Sequence, residues 1–262
     1  MKLVNFKPET LKKMKAIIIG AGRGRRLMPT TDEGPKCFAE VGGRRILDWT
    51  LQAFAEGGIT RVCFIGGYQI DKVRSSYPQF IFYHNADWEN NNILASLMCA
   101  EAEMNDPFVC CYSDILFTSQ VVRRLLASRA DISLAVDTGW LKRYAYRTEH
   151  PTGDAEKVRA SEGLIAHIGR DIDQSIAHGE YIGLAKFSAE GAINLREHYH
   201  RCRRLYTGRP FREAPSFEKA YLIHLFQEMV EAGVEIAHVD TPGGYMEIDT
   251  QQDFELAQRF WR

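Results

Sequence analysis

The stretch Lys15-Ala16-Ile17-Ile18-Ile19-Gly20-Ala21-Gly22-Arg23-Gly24-Arg25-Arg26-Leu27 decides the fold. A short unbroken apolar run stops at three glycines placed two residues apart. Strands covered by helices on both faces show such unbroken runs, so the simplest reading is a buried strand feeding a glycine loop. Glycine lets a backbone bend sharply and approach a ligand closely, and the amides of such a loop can cradle a polyphosphate. Nine residues after Leu27 comes Lys36, in Gly34-Pro35-Lys36. Arg26 and Lys36 could bring two positive charges to one place, where a phosphoryl transition state needs them. A plain strand-to-helix turn with two solvated cations would use the same residues. Two other phosphate loops are excluded. No Gly-Lys-Ser/Thr occurs, and the third glycine of the dinucleotide fingerprint is Arg25 counted from Gly20 or Leu27 counted from Gly22.

Outward from this stretch, strands are predicted over 61–65, 80–83 and 108–112, with helices over 46–54 and 93–104 between them. Strands alternating with helices of 10–15 residues imply an α/β fold with a mainly parallel sheet. The second half is less regular. Strands are expected over 132–136, 163–168, 181–187 and 235–239, helices over 189–205, 216–232 and 252–260, and loops over 169–179 and 241–244. No repeat, low-complexity tract or linker interrupts the chain, so one domain over 14–262 is expected, preceded by a lysine-rich extension over 1–13.

Composition narrows the function. The 262 residues are 45% hydrophobic and 26% charged, ordinary for a soluble globular protein. Lys and Arg total 33 against 34 Asp and Glu, a net charge of −1. That balance gives no global drive toward nucleic acid or an acidic membrane. No apolar run approaches the roughly 18 residues that cross a bilayer. The lysine-rich start lacks the apolar segment of a secretory signal. Six cysteines without a CxxC pair imply free thiols in a reducing cytoplasm. His198-x-His200-x-Cys202 imitates a metal cluster, but on a helix only His198 and Cys202 share a face. The arginines from Arg196 to Arg212, flanked by Glu197 and Glu213, suit a solvated face or a subunit contact, which admits a homodimer.

Two aspartates stand out by position. Asp114 follows the strand over 108–112, and ligands bind at the C-terminal ends of strands in open α/β sheets. Asp249 precedes the last helix. Either alone could be a turn or helix-cap residue.

Taken together, Ile19-Gly20-Ala21-Gly22-x-Gly24-x-Arg26-Leu27 and Pro35-Lys36 resemble the signature of nucleotidyltransferases of the sugar-phosphate and molybdopterin-guanylyltransferase-like superfamily. Gly42-Gly43-Arg44-Arg45-Ile46-Leu47 resembles the segment that follows it. Gly20 stands where the signature has Ala, and Arg44-Arg45 where it has Lys-Pro; neither change removes a charge. Asn91-Asn92-Ile93, the Tyr-x-Glu-Ile-Asp form of 245–249 and Gln252-Asp253-Phe254 are similar to the phosphocholine cytidylyltransferase branch. Ala155-Glu156-Lys157-Val158 and Gly179-Glu180-Tyr181-Ile182-Gly183-Leu184 look most like cytidylyltransferases acting on 2-aminoethylphosphonate and 2-hydroxyethylphosphonate.

The resemblance implies a single-domain, Rossmann-like three-layer α/β/α fold with a mixed, mainly parallel sheet. It implies CTP as donor, a small phosphonate or phosphomonoester as acceptor, and Mg²⁺ held by Asp114 and Asp249. Arg26 would hold the β and γ phosphates, Lys36 the α-phosphate and Lys157 the acceptor phosphate. Gly20, Ala21, Gly22 and Gly24 would face the nucleotide, with Asn92 and Ser113 near the nucleoside. For an amine-bearing acceptor, aromatic faces and carboxylates are wanted; Trp140, Tyr181, Glu180 and Asp137 are the candidates. Lys186, with Arg143 and Arg147, would suit a carboxylated acceptor instead. The alternatives are a sugar-1-phosphate nucleotidyltransferase using another nucleotide, or a nucleotide-binding regulatory module without catalysis. The presence of Arg26, Lys36, Asp114 and Asp249 speaks against the second.

Overall fold

The computed structural model describes residues 14–262, and the expected extension over 1–13 lies outside the described residues. The apolar run becomes β1 (Lys15–Gly20). A short hairpin, β2 (Glu40–Val41) and β3 (Arg44–Arg45), leads into α1 (Ile46–Glu56). Then come β4 (Arg61–Gly66), α2 (Ile70–Ser76), β5 (Ile81–His84), α3 (Ile93–Met98) and β6 (Phe108–Tyr112). The helix expected over 93–104 ends at Met98, and only a 3-10 turn at Glu101–Glu103 follows. The chain continues as β7 (Ile115–Phe117), α4 (Ser119–Ala127), β8 (Ile132–Asp137) and α5 (Trp140–Tyr144). Next are β9 (Lys157–Ser161), β10 (Leu164–Gly169) and β11 (Gly179–Phe187). The long α6 (Ala189–Tyr206), α7 (Leu222–Glu231), β12 (Ala237–Asp240), β13 (Tyr245–Glu247) and α8 (Gln251–Phe260) complete it.

Nine strands form one mixed sheet in the order β5-β4-β1-β6-β11-β8-β12-β10-β9. Its first four strands are parallel, and β11 enters antiparallel between β6 and β8. Successive side chains of a strand point to opposite faces, and β1 shows the result. Ile17 and Ile19 join one buried cluster with Leu94, Leu97 and Phe226. Ala16 and Ile18 join another with Phe54, Val122 and Leu125. Helices therefore cover both faces, which is the three-layer arrangement.

Two departures from a flat sheet position the site. First, β13 pairs with β7 outside the main sheet, with Glu247 opposite Ile115. The Ile248 amide then donates to the Asp114 carbonyl at 2.9 Å. Second, β9 pairs with β10 and also with β11, Glu180 opposite Lys157, so this end of the sheet curls back on itself. Among the described residues, no helix is long and apolar enough to cross a membrane.

Candidate active site

A cleft of about 610 Å³ opens at the C-terminal ends of β1 and β6, beside the start of β11. Its first half is the glycine loop. Gly24 has φ +70°, and a Cβ there would lie 3.0 Å from Lys36 Cδ, so the loop can rest on the lysine stem only because position 24 lacks a side chain. Lys36 starts a 3-10 turn and is buried. Its Nζ donates to Asp114 Oδ2 and Asp249 Oδ1, each at 2.7 Å. Burial opposes the Lys36 charge, yet the two carboxylates outweigh it and raise its pKa. Asp249 is partly buried, which opposes its charge, but Lys36 and Arg26 hold its carboxyl below the usual range. Arg26 is exposed, contacts Asp249, and has Nη1 3.9 Å from Asp154 Oδ2.

The Asp249 strand end is braced from behind. Arg147 Nε donates to Asp253 Oδ1 at 2.6 Å and its Nη2 to Glu247 at 3.1 Å. Asp253 Oδ2 also accepts from the Asp249 and Thr250 amides at 3.1 and 2.9 Å, with Thr250 Oγ1 accepting from the Asp253 amide. That reciprocal cap starts α8 and fixes the residues before it. His150, Glu247 and Asp249 offer donor atoms that all lie within 4.8 Å of one another.

The second half of the cleft is charged and aromatic. The Tyr112 hydroxyl donates to Glu156 Oε2 at 3.1 Å. Arg170 Nη2 lies 3.6 Å from Glu156 Oε1, and its guanidinium stacks 4.1 Å from the Tyr221 ring centroid. Burial pushes the Glu156 carboxyl up to about 7 and also raises that of Glu180, which accepts from the Tyr144 hydroxyl at 2.6 Å and contacts Arg143. Tyr181 reaches this half through an irregularity in β11. The pairing with β8 shifts between Tyr181 and Ala185, and Gly183 there has φ +75°. A Cβ on Gly183 would sit 2.4 Å from the Tyr112 ring. Bulges re-aim side chains beside active sites.

A family model described as the MobA-like NTP transferase domain matches residues 16–172, more than half of the chain. The chain belongs to the MobA-like NTP transferase family. It is a nucleotidyltransferase, and its relatives carry such names. It is 28% identical over 255 residues to the CTP:phosphoglutamine cytidylyltransferase of Campylobacter jejuni, covering 93% of this chain and 98% of that one. It is 25% identical over 199 residues to a 2-aminoethylphosphonate cytidylyltransferase of Lancefieldella rimae, covering 74% and 75%. The fold is that of the CTP:phosphocholine cytidylyltransferase from Streptococcus pneumoniae, with TM-score 0.71, 18% identity, and 95% and 99% of the two chains covered.

Most residues singled out from the sequence of this nucleotidyltransferase line the cleft. Gly20, Ala21, Gly22, Gly24, Arg26 and Lys36 do so, as do Asn92, Ser113 and Asp114. Glu180, Tyr181 and Asp249 complete that group. Asn92 is also the cap of α3, its Oδ1 accepting from the Ile93 amide at 2.8 Å.

Six candidates do not line it: Arg143 and Arg147 are engaged by Glu180 and Asp253, and four more lie elsewhere. Lys157 was expected on the acceptor phosphate, but its buried Nζ donates to the Thr152 and Ala155 carbonyls at 3.2 and 3.4 Å. Trp140 starts α5 and packs on Tyr144 and Ala155. Asp137 is buried beneath the site, where its Oδ1 accepts from the Gly139 and Gly243 amides at 2.7 and 3.0 Å and its carboxylate contacts Arg143. Lys186 pairs with Val109 at the far end of β6, and its Nζ donates to the Ser128 and Ala130 carbonyls. Glu156, Arg170, Tyr221, His150 and Glu247 line the cleft without having been expected there. For Glu247 a signal existed, because it stands two residues before Asp249 in the same motif.

Proposed function

We propose that this chain is a cytidylyltransferase that joins CMP from CTP to the phosphate or phosphonate oxygen of a small acceptor and releases pyrophosphate. The observation that carries this reading is the Lys36–Asp114–Asp249 cluster at the foot of the glycine loop, opposite the charged aromatic half of the same cleft. The relatives named for CTP support the choice of nucleotide, and those named for phosphoglutamine and 2-aminoethylphosphonate support a phosphorus-bearing acceptor with a charged far end.

In this reading the acceptor oxygen attacks the α-phosphorus while pyrophosphate departs from the opposite side. Negative charge grows on the bridging and α-phosphoryl oxygens. The Lys36 ammonium, held in place by its two carboxylates, is already charged and oriented for them, so little reorganisation is needed as the reaction proceeds. The exposed Arg26 guanidinium reaches over the same end and would take the departing phosphates. Gly20 to Gly24 let the nucleotide approach the backbone closely. The donor set also fits Mg²⁺, which prefers carboxylate and phosphate oxygens. Asp114 and Asp249 would hold it, with Glu247 beside them, and it would neutralise developing phosphate charge.

The test is incubation with Mg²⁺ and each of CTP, UTP, GTP, ATP and dTTP, against phosphocholine, 2-aminoethylphosphonate, phosphoserine and sugar 1-phosphates. Pyrophosphate release and ³¹P NMR of the products give the readout. A CDP-linked product from a non-sugar acceptor is expected. Transfer only from another nucleotide, or only to sugar phosphates, overturns the reading.

A further inference from the structure

Three arginines stand around the acceptor half, and of these only Arg170 lines the cleft. Arg143 contacts both Asp137 and Glu180. Arg147 is hydrogen-bonded to both Asp253 and Glu247. Arg170 differs: its nearest carboxylate oxygen, Glu156 Oε1, is 3.6 Å away, outside hydrogen-bond reach. Its Nε is buried without a partner, and its guanidinium rests on the Tyr221 ring. Glu156, 8% exposed, receives one hydrogen bond, from Tyr112. The Tyr181 hydroxyl, on a residue 2% exposed that lines the cleft, has no partner at all. Buried polar groups are normally paired, so an unpaired one beside a cleft calls for an explanation.

These unfilled valences have both signs. A bare amine or quaternary ammonium would answer Glu156 and the tyrosine faces, but it would place a second cation beside Arg170. A bare carboxylate would answer Arg170 and leave Glu156 repelled and desolvated. An acceptor end carrying both charges satisfies both residues. We propose that this half of the cleft recognises an α-amino-acid end of the acceptor, Arg170 binding its carboxylate and Glu156 with the Tyr221 face binding its ammonium. The assignment rests on the cytidylyltransferase reading above and makes this chain selective for phosphorylated or phosphonylated amino acids over the matching amines. The scaffold supports it: Glu156 and Arg170 sit at the two open ends of the β9–β10 hairpin, where Gly169 pairs with Lys157. The Tyr181 amide donates to the Glu156 carbonyl at 2.8 Å, which fixes the three residues relative to one another.

Two acceptor pairs differ only by the carboxylate: phosphoserine against phosphoethanolamine, and 2-amino-3-phosphonopropionate against 2-aminoethylphosphonate. The wild-type enzyme is expected to favour the carboxylated member of each pair in kcat/KM on the order of 100-fold. R170Q should bring that ratio close to parity, R170K should restore part of it, and E156Q should weaken both members of a pair while keeping the ratio. A purely structural Arg170 would lower both members together and leave the ratio untouched. Calorimetric titration of the same four compounds beside a non-hydrolysable CTP analogue reads the subsite without turnover. Equal use or equal binding of the paired members by the wild-type protein, or an unchanged ratio in R170Q, overturns the assignment while cytidylyl transfer stands. Failure to bind the CTP analogue overturns the cytidylyltransferase reading itself.

Discussion

Asp114 and Asp249 come from opposite halves of the chain, yet each places a carboxylate oxygen 2.7 Å from the same Lys36 ammonium. Backbone does the positioning. The Ile248 amide bonds the Asp114 carbonyl, and the β7–β13 ladder runs on from that point. The acidic pair is thus assembled by the fold rather than by a ligand.

Lys36→Met leaves two partly buried carboxylates facing each other with only the exposed Arg26 beside them. Breaking one partner out of such a cluster costs about 3 kcal/mol, so the urea midpoint of the ligand-free protein should fall. Turnover, followed by pyrophosphate release, should drop about 10²-fold to 10³-fold, the range seen when one transition-state donor is removed. Wild-type turnover in this variant would remove Lys36 from the reaction.

Divalent ions provide a separate check. Because Asp249 is held ionised by Lys36 and Arg26, it offers a ligand oxygen at neutral pH. EDTA should abolish turnover and Mg²⁺ should restore it. With CTP present, Mn²⁺ binding measured by electron paramagnetic resonance should weaken at least tenfold in Asp249→Asn, since a carboxylate oxygen is lost from a hard-ion site. Turnover that survives chelation would rule the ion out.

Glu156 makes stability depend on pH. Its carboxyl is raised from 4.5 to about 7, so the folded protein binds a proton that the unfolded chain has released between those values. Stability therefore declines as pH rises through that window, by about 3 kcal/mol in total. Glu156→Gln should melt higher than wild type at pH 8 and match it near pH 4. Parallel melting curves at pH 4, 6 and 8 decide the matter; a constant offset between the two proteins would contradict it.

Trp140→Ala is expected to act on folding. Trp140 is 2% exposed and packs on Tyr144 and Ala155, away from the cleft lining. Truncating a buried tryptophan costs about 3–5 kcal/mol. Denaturation should show that loss, with no selective rise in KM for the acceptor over CTP. A rise confined to the acceptor would return Trp140 to the site.

The sequence displayed the nucleotide half more fully than the acceptor half, and the reason is local. The run into Gly20, Gly22 and Gly24, with Lys36 after it, is contiguous, and glycine spacing is a short-range signal. Asp114 was visible as the end of a buried strand. The acceptor residues depend on parity and on long-range pairing. Glu156 and Lys157 are adjacent, and at a strand start the pattern does not say which of two neighbours faces inward; Glu156 does, while Lys157 caps backbone carbonyls. One residue of register exchanges such roles. Lys186 lies five residues beyond Tyr181 on β11, about 17 Å along an extended strand, so their closeness in sequence misled. Trp140 follows β8, but α5 begins at that residue and carries the indole into packing. The helix α4 escaped notice although Val121, Val122, Leu125 and Leu126 form a buried helical stripe, because the stretch is short and two arginines divide it.

The return of β9 onto β11 has an evolutionary consequence. On the proposed function it would confine the parts that meet the far end of the acceptor to one late hairpin and its neighbours, with the triphosphate held around β1, β6 and β13. Changes within 156–181 would then alter which molecule receives the nucleotide without disturbing the residues proposed to activate it. A lineage built on this plan can acquire new products by rewriting a single wall.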